Sequence, residues 1–199
     1  MRIIAGQAHG RKLKTPRGLK TRPASARVRE SIFSRLAVRL DFEGLRVLDI
    51  YAGSGSLGIE ALSRGAAEAV FIDSSRAASA AIRANLGTLG LSKRGRIITA
   101  DLRRALPDLC AAREKFGLAF VDAPYAADIS GQVLRMLAEL RLISPKGWVV
   151  VRQSRRAPEA PEAPAGFGQF KVAIIGDHRI AFYRRDAEGA EENSGLSDD

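Results

Sequence analysis

At 199 residues with 46% hydrophobic content, the chain is long enough for one well-buried domain and short for two. A single cysteine, Cys110, excludes an internal disulfide, and two histidines, His9 and His178, leave no Cys/His set with zinc spacing, so no metal is expected. The start, Met1-Arg2-Ile3-Ile4-Ala5-Gly6, is not signal-like and no apolar stretch reaches membrane-spanning length, which predicts a cytoplasmic protein with no membrane partner.

The net charge of +10 is concentrated at one end. Residues 1–40 hold eleven Lys/Arg against Glu30 alone, which equals the whole excess, whereas residues 186–199 carry six acids and no base. A basic head of this kind favours a polyanion, most often nucleic acid; a merely solubilising arm is the alternative. Arg2, Arg11, Lys12, Lys14, Arg22, Arg27 and Arg29 are the candidate RNA contacts.

Residues 1–23 alternate short β-prone pieces with Gly6, Gly10, Pro16, Gly18 and Pro23, which reads as a hairpin-like or extended basic arm with too little apolar content to fold alone. Over 24–40, Val28, Ile32, Phe33, Leu36 and Leu40 fall at helical spacing behind a candidate N-cap, Ser25, with Arg27, Arg35 and Arg39 opposite. From residue 46 strands and helices alternate. Apolar runs ending at Asp49, Asp73, Asp101 and Asp122 give four strands, with helices predicted over 56–64, through about 85, through 111–114 and over 130–140, before a fifth strand at 147–151. This order implies right-handed crossovers and a doubly wound, parallel α/β sheet. Residues 170–175 and 180–184 are separated by too few residues for a crossover and should form an antiparallel edge hairpin, giving seven strands. The Pro-rich stretch 157–166 reads as an exposed loop and 186–199 as a disordered acidic tail, leaving 24–185 as the domain. Cys110 and Trp148 read as core residues.

In an open α/β sheet, ligands bind beyond the carboxyl ends of the strands, so the four acids are read as one acidic rim. Gly53-Ser54-Gly55-Ser56-Leu57-Gly58 fits the G-x-G-x-x-G turn between a strand and a helix, and Asp73 lies where an acid grips ribose hydroxyls. A tight turn without a ligand is the bland reading. Charge separates the two adenosine cofactors. A pyrophosphate at this helix start would be repelled by Asp49, whereas S-adenosylmethionine carries an ammonium and a sulfonium and no phosphate. Asp49, Gly53, Ser54, Gly55, Asp73 and Asp101 are therefore the candidate S-adenosylmethionine residues.

Asp122-Ala123-Pro124-Tyr125 is the candidate catalytic group. The nitrogen of an exocyclic base amine is planar and a poor nucleophile. Asp122 and the Ala123 carbonyl can accept its two N–H bonds and turn its lone pair toward a methyl group, while Pro124 fixes the backbone and Tyr125 offers a stacking face. The target nucleotide has to be unpaired or flipped out. The alternative is an ordinary strand-ending turn.

Residues 22–30, 48–66 and 122–125 resemble the bacterial 16S ribosomal RNA guanine-N2 methyltransferases of the RsmD family, and the resemblance extends over 2–185. It implies a class I S-adenosylmethionine-dependent methyltransferase fold and methylation of one guanine in small-subunit RNA within the subunit or a late assembly intermediate; a monomer is expected. Two departures stand out. The family usually has Asp-Pro-Pro where this chain has Asp122-Ala123-Pro124, and more often Glu at Asp73; loop rigidity and reach to the ribose should differ, but no functional group is lost. Rival readings are adenine-N6 methylation and glutamine methylation. No DNA partner is expected, since DNA enzymes normally need a recognition domain, and glutamine enzymes carry Asn in place of Asp122. A non-catalytic RNA- or ribosome-binding protein is a further alternative. A nicotinamide oxidoreductase lacks a general acid, because His9 and His178 are placed outside the rim.

Overall fold

The computed structural model describes residues 1–15, 26–123, 129–157 and 159–187. Ser25, Arg22, Pro124, Tyr125 and most of the acidic tail lie outside these residues. The elements run α1 (Ala26–Ala37), β1 (Arg46–Ile50), α2 (Ser56–Ser63), β2 (Glu68–Ile72), α3 (Arg76–Leu89), a 3-10 turn (Ser92–Arg94), β3 (Gly95–Ile98), α4 (Leu102–Ala111), β4 (Phe116–Val121), α5 (Ile129–Glu139), β5 (Ile143–Ser154), β6 (Phe167–Ile175) and β7 (His178–Arg185).

The strands form one seven-stranded sheet in the order β3-β2-β1-β4-β5-β7-β6. β1 to β5 pair in parallel, and β7 inserts antiparallel between β5 and β6. Successive side chains point to opposite faces, so each buried strand feeds two cores. Val47, Phe71, Phe120 and Val150 pack against α1, α2 and α3, whereas Leu48, Ile50, Val70 and Val121 pack against α4 and α5. The chain builds outward from β1 to β3, then returns through α4 to place β4 on the other side of β1. This reversal opens a crevice at the carboxyl ends of β1 and β4.

The helix limits follow local chemistry. α3 starts where Ser75 Oγ accepts the Ala78 N–H and stops at Gly90 in the left-handed conformation. α2 has no side-chain cap. Its first turn is set by the left-handed Gly55, and Gly58 lets the helix sit against the sheet, since a Cβ there would lie 2.4 Å from the Phe71 ring.

The arm is a hairpin: Arg2 and Lys12 form an antiparallel bridge, and Ile3, Ala8 and Leu13 join the core against α2 and α3. Its hold is polar as well as apolar. The buried Glu60 carboxylate accepts the Ile4 and Ala5 N–H groups at 2.8 and 3.0 Å, and Asn85 pairs with both backbone groups of Lys14.

Four expectations need correction. β3 covers 95–98, upstream of the predicted run through Ala100, because Thr99 and Ala100 already turn toward α4. The Pro-rich loop is pinned, with the buried Tyr183 hydroxyl donating to the Pro161 carbonyl and Ala160 and Ala163 packed on the core. Cys110 is only partly buried. Arg29, a predicted RNA contact, is 0% exposed and donates to the Arg2 carbonyl, so it anchors the arm and is not available to a phosphate. Among the described residues, no helix is long and apolar enough to cross a membrane.

Candidate active site

Pairing brings the acids together. Ile50 is in register with Ile72 and with Val121, so Asp73 and Asp122, each one residue further on, flank the end of β1. Their backbones continue the ladder: Asp122 N–H donates to the Ile50 carbonyl and Asp73 N–H to the Ile98 carbonyl, both at 3.2 Å. Between them Tyr51 takes φ of 57°, a conformation uncommon for a non-glycine residue that marks the point where the chain leaves the sheet for the glycine loop.

Asp73 and Asp101 line a cleft of about 330 Å³ with Tyr51, Arg103 and, from α5, Gln132 and Met136. Asp73 takes the Gly53 N–H on one oxygen and the Ser75 N–H on the other, each at 2.9 Å, which leaves a lone pair on each oxygen for a diol. Asp101 caps α4 through the Arg103 N–H at 2.8 Å and is exposed at the cleft mouth. Burial raises the Tyr51 phenol above its ordinary value, with Asp101 adding to the effect. A larger concavity of about 770 Å³ lies between α5 and the Pro-rich loop, and none of the four rim acids lines it.

Asp49 differs from its predicted role. It is the fourth residue of β1, so its side chain faces the α2 side, 1% exposed, where it accepts the Gly58 N–H at 2.8 Å. Burial pushes its carboxyl well above the usual carboxylate range; the Gly58 N–H opposes this, and nearby Asp122 and Asp73 reinforce it. Asp49 therefore braces the glycine loop from beneath. Ser54 is also buried, and its carbonyl accepts from Asn85, which ties the loop to α3.

Asp122 has partners that local sequence patterns do not reveal. Its Oδ1 accepts from Arg152 Nε at 2.5 Å, and the same guanidinium meets His178 Nδ1 at 3.1 Å. Because a guanidinium only donates, Nδ1 must accept and the ring proton resides on Nε2. Burial lowers the His178 pKa, and Arg152 lowers it further, which keeps the ring neutral. His178 thus lies beside the rim and not outside it. β7 is antiparallel, so its first residue sits at the carboxyl end of β5, opposite Ser154. Ala123 is buried directly behind Asp122.

The proposed RNA side chains Arg2, Arg11, Lys12, Lys14 and Arg27 are exposed. Arg11 leans on α3 through the Thr88 carbonyl.

The donor set fits a cationic, phosphate-free adenosine cofactor: the Asp73 and Asp101 carboxylates line the cleft, and the glycine loop beside it is braced from beneath by Asp49. Residues 1–184 match the family described as Conserved hypothetical protein 95. Ribosomal RNA small subunit methyltransferase D of Escherichia coli (strain K12) is 33% identical over 193 residues, covering 96% of this chain and 93% of that protein. The solved structure of a hypothetical protein from Thermus thermophilus superposes with a TM-score of 0.76 at 29% identity, over 92% and 98% of the two chains. An RNA methyltransferase from Salinibacter ruber, solved with S-adenosyl-L-homocysteine, shares the fold at a TM-score of 0.60 and 14% identity, over 89% of this chain and 98% of that one. The fold is that of the class I S-adenosylmethionine-dependent methyltransferases, and the chain belongs to the Conserved hypothetical protein 95 family, in which it is related to the small-subunit ribosomal RNA methyltransferases D.

Proposed function

We propose that this protein transfers a methyl group from S-adenosylmethionine to the exocyclic N2 of a guanine in small-subunit ribosomal RNA. Its substrate would be the RNA within the subunit or a late assembly intermediate, and it would act as a cytoplasmic monomer. The observation that carries the reading is the Asp122 carboxylate, fixed by Arg152 at the mouth of the β1/β4 crevice beside the cleft of Asp73 and Asp101.

When bound, S-adenosylmethionine supplies an electrophilic methyl group on a sulfonium. Asp73 would hold the ribose hydroxyls, Asp101 the adenine side of the cleft, and Gly53 and Gly55 would allow close backbone approach. Asp122 Oδ1 is committed to Arg152, so Oδ2 is the oxygen that accepts one N–H of the base amine, and the Ala123 carbonyl accepts the other. Two acceptors at fixed positions direct the nitrogen lone pair. The N–C bond forms as the S–C bond breaks, and the amine's surplus proton leaves to Asp122 or water. Pro124 and Tyr125 are assigned to the base by sequence alone.

Asp122→Ala should lower methyl transfer by roughly 100-fold or more while cofactor affinity, measured by calorimetry, changes little. Parallel loss of both would mean that Asp122 only supports the fold. Mass spectrometry of small-subunit RNA from cells with and without the protein should show loss of one N2-methylguanosine. Loss of N6-methyladenosine would move the target to adenine, and no change would favour a non-catalytic binding protein.

A further inference from the structure

At the end of the sheet opposite Asp122 lies a groove of about 670 Å³, floored by the starts of β1, β4 and β5. Its lining includes Arg39, Arg46, Arg113, Lys115, Lys146 and Arg184, and among the described residues no acid lines it. Arg46 is consumed internally, by Glu68 at 2.8 Å and Glu114 at 2.5 Å. The other five are exposed, and no ion pair to a described carboxylate engages them. Such unopposed cations repel one another and raise the cost of the folded state unless an anion joins them.

The backbone adds a second, independent indication. Between the pairs Phe116↔Ile143 and Leu118↔Trp148, β5 spends four residues where β4 spends only Gly117, and this bulge thrusts Lys146 outward. Lys146 and Arg113 both sit at left-handed φ, 61° and 55°. Glycine would occupy either position without strain, so each cation stands at a backbone cost. A third feature is aromatic. Phe170 is 49% exposed, with Arg39 4.7 Å above its ring centroid and Trp148 edge-on at 5.2 Å, so a flat apolar surface adjoins the cations.

We infer that this groove is a second RNA-docking surface, holding the sugar-phosphate backbone of the substrate away from the target nucleotide, with Phe170 as a platform for an unpaired base. The inference rests on the RNA reading above. β4 separates the groove from Asp122 by about 20 Å, so only an RNA with extended structure, as in a folded subunit, engages both ends. Exposed cations that pair with phosphates release counterions, and each contact steepens the salt dependence of binding.

The test compares the native protein with a variant carrying Arg113→Gln, Lys115→Gln and Lys146→Gln, titrated with naked 16S ribosomal RNA and with small subunits over a range of salt. The expected result is a loss of affinity of about tenfold or more for both, and a log–log salt slope shallower by about 2. Cofactor affinity and Tm should not fall. Lys146→Gly alone should weaken RNA binding while holding or raising Tm, because it relieves the left-handed backbone; a merely structural lysine would leave RNA affinity unmoved. An unchanged slope overturns the inference. So does a loss confined to particles with naked RNA unaffected, which would assign the groove to a ribosomal protein. If the native protein binds neither RNA nor particle, the RNA reading itself fails, and if it methylates RNA while the groove variants behave normally, only the groove assignment does.

Discussion

Asp49 and Asp122 lie near each other in different surroundings. Asp49 is enclosed in protein, whereas Asp122 is tied to a guanidinium at a surface opening. Since the Asp49 carboxyl is harder to ionise in the folded chain, the folded state holds a proton that the unfolded state has released above about pH 4. Stability therefore falls as pH rises from there until the folded group ionises. Asp49→Asn retains an acceptor for the Gly58 N–H and has no proton to lose. Its Tm should gain on that of the native protein as pH rises from about 5 to about 8; a constant difference would show that the buried carboxyl carries no pH dependence. Arg152 acts on Asp122 by position. Arg152→Met should lower turnover by on the order of tenfold to a hundredfold with little change in cofactor affinity, and Arg152→Lys should rescue only partly, because an ammonium lacks the guanidinium fork. The stability cost should be about 2 kcal/mol, below that of a fully enclosed pair because Asp122 keeps some access to water. Equal losses in both variants' cofactor affinity would assign Arg152 to the fold. Asp73, Asp101 and Asp122 are readable in the sequence because an acid at the end of an apolar run marks a strand's carboxyl end. Asp49 reads as a rim acid by the same rule, but Ile50 follows it within the strand, and alternation turns its side chain inward. Arg152 and His178 are invisible to local pattern, since only the antiparallel pairing of β5 with β7 joins them.

At the scale of elements, α2 and α3 connect the two halves of the proposed chemistry. α2 begins at the glycine loop and, through Glu60 and Ser63, ends under the arm. α3 contributes Asn85, whose amide donates to the carbonyls of both Lys14 in the arm and Ser54 in the loop. Asn85→Ala strands these buried groups, at a cost of about 1–3 kcal/mol. Both cofactor and RNA affinity should decline, as read by calorimetry and by RNA titration; unchanged cofactor affinity would disprove the bridge. Strong periodicity makes the helices and central strands legible, and loop length alone reveals the β6–β7 hairpin. β3, a short and partly exposed edge strand, gives a weaker signal, and its apolar run extends past the pairing that defines it. The polar clasp of the arm escapes a reading of pattern because Glu60 has Arg64 one turn away as a local partner, and Asn85 lies in a helix with nothing beside it to announce a link to the arm.

Over the whole molecule, charge is only half legible. Counting locates the basic head, but the groove collects cations from residues 39, 46, 113, 115, 146 and 184, which no window along the chain unites. Parallel strands gather their beginnings at one pole as surely as their ends at the other, so the fold that assembles the acidic rim also assembles a basic base. β7 runs against the others, from His178 beside Asp122 down to Arg184 on the groove wall. Its eight residues span roughly 25 Å. A fluorophore attached at Ala187 would therefore report on docking at the basic pole while standing too far from the methyl-transfer pole to sense cofactor exchange, which gives a way to watch the two events separately in one protein.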